Sequence, residues 1–274
     1  MNKKIGIFVI ILLFIVLSVV VIFMNMGRSD MKIYFFKAGK ADSALIYNSK
    51  FSVLIDTGEE KLADDIIEYL NENNIDSIDY LIITHFDKDH VGSAHTIIDK
   101  FRVDHVIHSN YPKDTEVYNK YIESLNNKGL DPLVLYTEMS IDLDDIKITI
   151  NPPKVEEYSK DPSNNSSLIV DVKFKNTSFL FMGDAEDLRI EEYLSDHTDK
   201  VDFLKVPYHG HYQDSLEKLI STIMPKYSVI TCSDKKKEDE ETLTVLAKYN
   251  SKYYLTRNGS ILVTSDGDSI NVKQ

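Results

Sequence analysis

The chain has 274 residues, with 31 Lys and Arg against 44 Asp and Glu and a formal net charge of −13. Such an acidic body does not draw nucleic acid by its overall field. Its single cysteine, Cys232, excludes a disulfide framework and leaves no lipid-attachment cysteine behind the N-terminal segment. From Ile5 to Met24 the chain is apolar apart from Gly6 and Ser18 and carries no charge. Twenty such residues make about 30 Å of helix, enough to cross a bilayer. Lys3 and Lys4 precede the run, which predicts a cytoplasmic N-terminus and an exported remainder. The run is long for a signal peptide and no A-x-A-like site follows it, so an uncleaved single-pass anchor over residues 1–30 is favoured over a cleaved leader.

Residues 31–274 then form the working part, with a net charge of about −15. No linker rich in Pro, Gly or Ser, no low-complexity tract and no repeat of solenoid period interrupts them. Strand-like runs fall at 32–37, 43–48, 52–56, 79–84, 104–107, 146–150, 167–173, 177–182, 201–206, 227–231, 252–255 and 260–264. Helical spacing appears at 61–72, 91–101, 115–128, 187–195, 214–224 and 240–249. Each half opens with strands and then alternates strands with helices, which predicts two sheets packed together with helices outside. The mixed-sign run from Asp234 to Glu241 reads as a solvated loop leading into the last helix.

Four of the apolar strands stop on an acid or a histidine. Phe51–Ile55 runs into Asp56-Thr-Gly58, Tyr80–Ile83 into Thr84-His-Phe-Asp-Lys-Asp-His90, Phe179–Met182 into Gly183-Asp184, and Phe203–Val206 into Pro-Tyr-His209-Gly-His211. One Asp after a strand is ordinarily a turn or helix-cap residue. The 85–90 stretch is different, because its aspartates repel one another unless a cation or hydrogen bonds compensate. Carboxylates and imidazoles gathered at strand ends suit a metal site.

His85-x-Asp87-x-Asp89-His90 resembles the H-x-[HD]-x-D-H signature of the metallo-β-lactamase superfamily. That resemblance implies a four-layer αββα sandwich of α/β class with two metal ions between its sheets. In the family order, Asp56 matches the Asp supporting the metal loop, Asp184 the bridging carboxylate and His209 the last histidine ligand. Lys37-Ala-Gly39-Lys-Ala-Asp42-Ser-Ala-Leu-Ile, Asn164-Asn-Ser-Ser167-Leu-Ile-Val and Leu204-Lys-Val-Pro-Tyr-His209-Gly are similar to stretches of the exported domain of ComEC-type competence proteins. The departures are Lys37 for Asp, Ala41 for Gly, Tyr208 for the first His of H-H-G and His211 for Ser; they bear on substrate handling. The resemblance does not extend to the channel-forming region of the competence proteins, so DNA transport is not expected from it.

By that resemblance His85, Asp87 and Asp184 would hold one metal, and Asp89, His90, His209 and the shared Asp184 the other. The third histidine common on the first metal has no match, because His95, His105 and His108 lack its context; Ser167 or Asn164 holds that place. His95 is expected on a helix surface, His105 and His108 in structural roles, and His197 in a solvated loop. Asp89 and His211 are the catalytic candidates, His211 as a donor to substrate or general acid. The implied reaction is metal-assisted hydrolysis of a phosphodiester, by water activated between two divalent ions. Three carboxylates and three imidazoles favour Mn²⁺ over Zn²⁺. The expectation is a membrane-anchored, extracytoplasmic phosphodiesterase or nuclease, with the acidic charge weighing against polymeric DNA. The alternatives are a phosphoesterase for a small or cell-wall-linked substrate and a non-catalytic binding domain. No protein partner is expected.

Overall fold

A computed structural model of the chain describes residues 30–274 together with Leu13 and Phe14. The expected membrane helix lies outside the described residues apart from Leu13 and Phe14, which are helical and exposed. Among the described residues no helix is long and apolar enough to cross a membrane. Met31–Gln274 forms one unit.

Its strands, in chain order, are β1 (Met31–Phe35), β2 (Ala44–Tyr47), β3 (Ser52–Ile55), β4 (Ser77–Ile83), β5 (Arg102–His108), β6 (Leu133–Val134), β7 (Met139–Leu143), β8 (Ile146–Asn151), β9 (Ile169–Phe174), β10 (Thr177–Phe181), β11 (Phe203–Lys205), β12 (Tyr227–Ile230), β13 (Lys252–Leu255), β14 (Ile261–Ser265) and β15 (Ile270–Lys273). They form two mixed sheets, ordered β15-β14-β1-β2-β3-β4-β5-β6 and β13-β12-β11-β10-β9-β8-β7. Within each sheet the strands joined through helices run parallel, β3 to β6 in the first and β10 to β13 in the second.

The central strands β2, β3 and β11 are buried on both faces and apolar but for Ser52 and Lys205. Ile33, Phe35, Ile46, Val53 and Ile82 of the first sheet meet Ile148, Val170, Phe179, Phe181 and Phe203 of the second. The Phe35 ring lies 5.9 Å from Phe181 and 5.7 Å from Phe203. The alternate residues face outward under helices. Leu45, Leu54 and Leu81 pack with Ile66 and Leu70 of α1 (Ala63–Glu72) and Ile97 of the helix that follows the metal-loop sequence. Leu180, Leu204 and Ile230 pack with Ile190, Leu219, Ile220 and Leu246 on the other side. The result is the expected sandwich of two sheets between two helical layers.

The helix expected at 91–101 is split. α2 (Lys88–Val91) stops, and α3 (Ala94–Lys100) begins after Gly92 and Ser93. A Cβ at Gly92 would lie 2.4 Å from the Lys88 carbonyl and 2.6 Å from that of Gly58, so only glycine lets the two loops approach this closely. Ser93 Oγ donates to the Glu59 carbonyl at 2.6 Å, tying the break to the loop after β3. The remaining helices are α4 (Glu116–Lys128), α5 (Pro162–Asn165), α6 (Asp187–Leu194), α7 (Leu216–Ile223) and α8 (Glu240–Lys248). Strands β6, β7 and β15 and the short α5 were not expected from periodicity. β6 has two residues, and β7 and β15 are edge or near-edge strands with mostly solvated faces, so their patterns are weak.

Candidate metal centre

The carboxyl ends of β3, β4, β10 and β11 lie at one edge of the sandwich, where open α/β sheets place ligands. Asp56 follows β3, His85 to His90 follow β4, Asp184 follows β10 and His209 follows β11. The chain turns there in conformations that side chains avoid: φ is 56° at Asp56, 47° at Tyr208 and 55° at His209. Left-handed residues of this kind cost on the order of 1–3 kcal/mol each and persist where the surroundings impose them.

Three fully buried imidazoles meet here. The ring centroids of His85 and His90 are 4.0 Å apart, and those of His90 and His209 5.4 Å. Each ring is held through Nδ1. His90 Nδ1 sits 2.8 Å from Asp56 Oδ2. His209 Nδ1 lies 3.0 Å from Thr231 Oγ1 and 3.1 Å from its carbonyl. His85 Nδ1 lies 3.2 Å from Thr84 Oγ1 and 3.3 Å from Ser167 Oγ. The opposite atoms, Nε2 of His85, His90 and His209, are buried without a hydrogen-bond partner, as is Asp184 Oδ1. His90 Nε2 comes within 3.2 Å of Asp184 Oδ1, and His209 Nε2 within 3.1 Å of Asp184 Oδ2. An orphaned buried polar atom costs about 1–3 kcal/mol, and these four fall in overlapping groups that ions could satisfy. Imidazoles fixed through one nitrogen and aimed with the other fit divalent ions.

The ligand atoms of His85, His90 and Asp184, and those of Asp89, His90 and His209, form groups whose members all lie within 4.8 Å of one another. The cluster is consistent with a binuclear metal site. Asp56 accepts from the Thr84 N–H at 2.8 Å and its hydroxyl at 2.7 Å, so the carboxylate that orients His90 also pins the start of the loop.

Protonation follows the same crowding. Burial pushes His85 down to about 4. Burial acts in the same direction on His90 but is overcome by Asp184 and Asp56, so its pKa lies well above the ordinary value. His209 is raised by Asp184 and Asp42 against burial. Asp184 stays ionised: burial opposes its charge, but His209 and His90 outweigh it. A cation bound here would balance the buried carboxylates.

Other expected residues lie farther out. Asp87 belongs to none of the converging groups; its Oδ1 is 3.9 Å from His85 Nε2 but takes Lys113 Nζ at 2.5 Å and the Ser163 hydroxyl. Ser167 Oγ accepts from the Asp184 N–H at 3.1 Å and touches His85, so it braces two ligand candidates. Asn164 donates to Glu186 at 2.6 Å. Burial pushes the Glu186 carboxyl up to about 7, with Asn164 opposing. His211 is partly exposed, 3.6 Å from Asp239 and 5.0 Å from the Tyr208 ring centroid, and its pKa is lowered by burial and by Lys40. His95 pairs with Glu60, His105 stacks on Tyr80 and His108 meets the Tyr121 hydroxyl. His197 lies in a loop, partly exposed, and stacks on Tyr193 with ring centroids 4.4 Å apart.

Two residues of the stretches similar to competence proteins join the centre without having been expected there. Lys205 is buried beneath the centre, where its ammonium pairs with Asp42 and donates to the Gly183 carbonyl at 2.9 Å. Asp42 accepts from Thr231 at 2.5 Å and lies 3.3 Å from His209 Nδ1. Burial would raise the Asp42 pKa, but Lys205 and His209 hold it far below the usual carboxylate range. A lysine inside the apolar run Phe203-Leu-Lys-Val was the available signal.

A family model described as "Metallo-beta-lactamase superfamily" matches residues 37–233, which includes every residue of the cluster. The chain belongs to the metallo-β-lactamase superfamily. Its sequence is similar to the "ComE operon protein 3" of Bacillus subtilis, with 24% identity over 205 residues, 72% of this chain and 26% of that protein. It is similarly related to the "Recombination protein 2" of Haemophilus influenzae, with 24% identity over 220 residues, 77% of this chain and 25% of that protein. The chain therefore spans about a quarter of the length of these relatives. Among solved structures, the metallo-β-lactamase fold protein YhfI from Bacillus subtilis superposes with a TM-score of 0.59 at 9% identity, covering 86% of this chain and all of that one. CmlA, a diiron β-hydroxylase from Streptomyces venezuelae, superposes with a TM-score of 0.55 at 13% identity, covering 87% of this chain and 54% of that one. Identities this low establish the shared superfamily fold alone.

Proposed function

We propose that the chain is a metal-dependent phosphodiesterase, with single-stranded DNA or a related polyanion as its substrate class. The observation that carries this is the set of four orphaned buried atoms, Nε2 of His85, His90 and His209 and Oδ1 of Asp184, gathered in overlapping groups at the carboxyl ends of the strands. His85, Asp87 and Asp184 would hold one ion, and Asp89, His90, His209 and Asp184 the other. Divalent ions, when bound, supply acidity to a water molecule and positive charge to phosphoryl oxygens. The chain's own part is to position. Asp56 and Thr231 keep the His90 and His209 rings turned inward. His211, next to the last ligand, donates an N–H to the substrate.

Lysines lie beside the site residues. Lys40 lies 5.2 Å from the Tyr208 ring centroid and acts on His211. Lys113 sits on Asp87, and Lys160 acts on Glu186. Lys113 and Lys160 are paired with Asp87 and Asp161, so Lys40 is the lysine among these three that supports an anionic substrate. The sequence relationship to competence proteins favours DNA; the overall charge favours the second reading, a small or cell-wall-linked phosphoester.

With three carboxylates and three imidazoles as ligands, Mn²⁺ is the proposed active metal and Zn²⁺ the alternative. The charge-free run behind Lys3 and Lys4 supports a single-pass anchor with the enzyme outside the membrane. Stripped full-length protein, reloaded with Mn²⁺ or Zn²⁺, should be assayed on bis-p-nitrophenyl phosphate, single-stranded DNA and choline phosphoesters. Turnover of the first two with Mn²⁺ is expected. Activity on the choline esters alone would move the assignment to the second reading, and a faster zinc form would reject the choice of metal. A reporter fused after Gln274 that works only in the cytoplasm would reject the topology.

A further inference from the structure

The two halves of the centre are not equivalent, and the difference lies in a loop lysine. Asp89, His90, His209 and Asp184 present buried or nearly buried atoms to one another, with His209 Nε2 3.7 Å from Asp89 Oδ2 and 3.1 Å from Asp184 Oδ2. Among the described residues, the ammonium that pairs within this half is that of Lys205, which comes only to 3.9 Å of Asp184 Oδ1 and is anchored on Asp42 and the Gly183 carbonyl. On the other half, His85 Nε2 is orphaned and Asp87 Oδ1 is the nearest carboxylate oxygen on that side, at 3.9 Å. That same oxygen carries both the Lys113 ammonium, at 2.5 Å, and the Ser163 hydroxyl. Lys113 Nζ is itself fixed by Ser163 Oγ at 3.0 Å. Lys113 lies on the loop after β5 and Ser163 on α5, so two separate elements converge on one oxygen.

Asp87 Oδ1, the oxygen that comes within 3.9 Å of His85 Nε2, is the one that Lys113 and Ser163 hold, so a cation that takes this oxygen together with His85 competes with both. Asp87 is held in place by an internal cation of single charge, and an incoming ion that takes Oδ1 displaces it. We propose that Lys113 is a built-in competitor for Asp87, so that the centre fills in two unequal steps. The position of Asp89, His90, His209 and Asp184 fills first. The position of His85 and Asp87 fills only at higher metal concentration, when Lys113 gives way. This rests on the metal-site reading above. It makes occupancy of the second position, and any chemistry that needs both ions, responsive to the free ion concentration. It also explains how Asp87 remains neutralised while the first ion alone is bound.

The test is binding, read without activity. Full-length protein stripped with chelator is dialysed to equilibrium against a series of free Mn²⁺ concentrations, and bound metal is counted by elemental analysis. Wild type should bind two ions with affinities separated by about tenfold or more, the factor that a partly buried ion pair in competition provides. Lys113→Met should tighten the weaker step by about tenfold and leave the tighter one in place. Lys113→Arg keeps the charge and should keep the separation. Lys113 is partly exposed on a loop, so both variants fold. Two wild-type steps of equal affinity, or a Lys113→Met curve that overlays wild type, would overturn the proposal. Wild type that binds no ion at all would remove the metal-site reading, and the proposal with it; one tight ion in wild type and two in Lys113→Met would support both.

Discussion

Replacing Lys205 with Met removes an ammonium from the floor of the centre while keeping most of the side-chain volume. Lys205 and Asp42 are 4% and 8% exposed, so the Asp42 carboxylate is left buried without its main counter-charge. Breaking one side of a buried pair costs about 3–5 kcal/mol. Asp42 keeps the Thr231 hydroxyl and the His209 ring, which places the cost near the lower end, about 3 kcal/mol. That is a large fraction of a total stability of about 5–15 kcal/mol. With a urea slope of about 3 kcal/mol/M for a chain of this size, the unfolding midpoint should fall by about 1 M. Adding Asp42→Asn removes the stranded charge but keeps a carbonyl oxygen for Thr231. The double variant should therefore recover about 1–2 kcal/mol relative to the sum of the single changes. The assay is equilibrium urea unfolding of metal-free protein at neutral pH, followed by far-ultraviolet circular dichroism. A Lys205→Met midpoint equal to wild type would refute the reasoning, as would a double variant whose loss equals the sum of the two single losses.

Asp184→Asn should leave the fold intact, lower metal content by at least one ion and reduce phosphodiester turnover by more than about 100-fold, since ligand loss should exceed the 10–100-fold effect of losing a supporting residue; full metal content with unchanged turnover would reject its bridging role. Gly92→Ala should cost about 1–3 kcal/mol in urea unfolding, because the added methyl meets the backbone of Lys88, Gly58 and Glu59 rather than a movable side chain. Burial holds the His108 ring down to about 4, against an ordinary value of 6.5. Between those values the unfolded chain takes up a proton that the folded chain refuses. The contribution of His108 is therefore complete above pH 6.5 and is lost as pH falls towards 4, by about 3 kcal/mol. His108→Gln, which can keep a bond to Tyr121, should flatten the acid limb of stability against pH by that amount; a limb as steep as wild type would show that His108 is not its source.

Most of the fold was readable from residue order because strand and helix leave different apolar periods. The runs at 52–56, 79–84, 177–182 and 227–231 correspond to β3, β4, β10 and β12 within a residue or two. The outer helices α1, α4 and α6 to α8 were legible in the same way. Chain order also places Asp56, His85, His90, Asp184 and His209 at strand ends, since an apolar run that stops on a charge marks where a strand leaves the core. What order along the chain does not carry is which charged groups meet. Lys205 reads as a lysine in a strand until β11 lies beside β10 and its ammonium is enclosed with Asp42, 163 residues away in the chain. Asp87 reads as equal to its neighbours in the motif until the loop after β5 brings Lys113 onto it. The helix break at Gly92 is likewise decided by the backbone of the Gly58 loop, a contact between distant segments. Local sequence sets backbone preference and burial, which act over a few residues. Charge pairing and close backbone approach act across the space between elements, and exist only once the two sheets have packed.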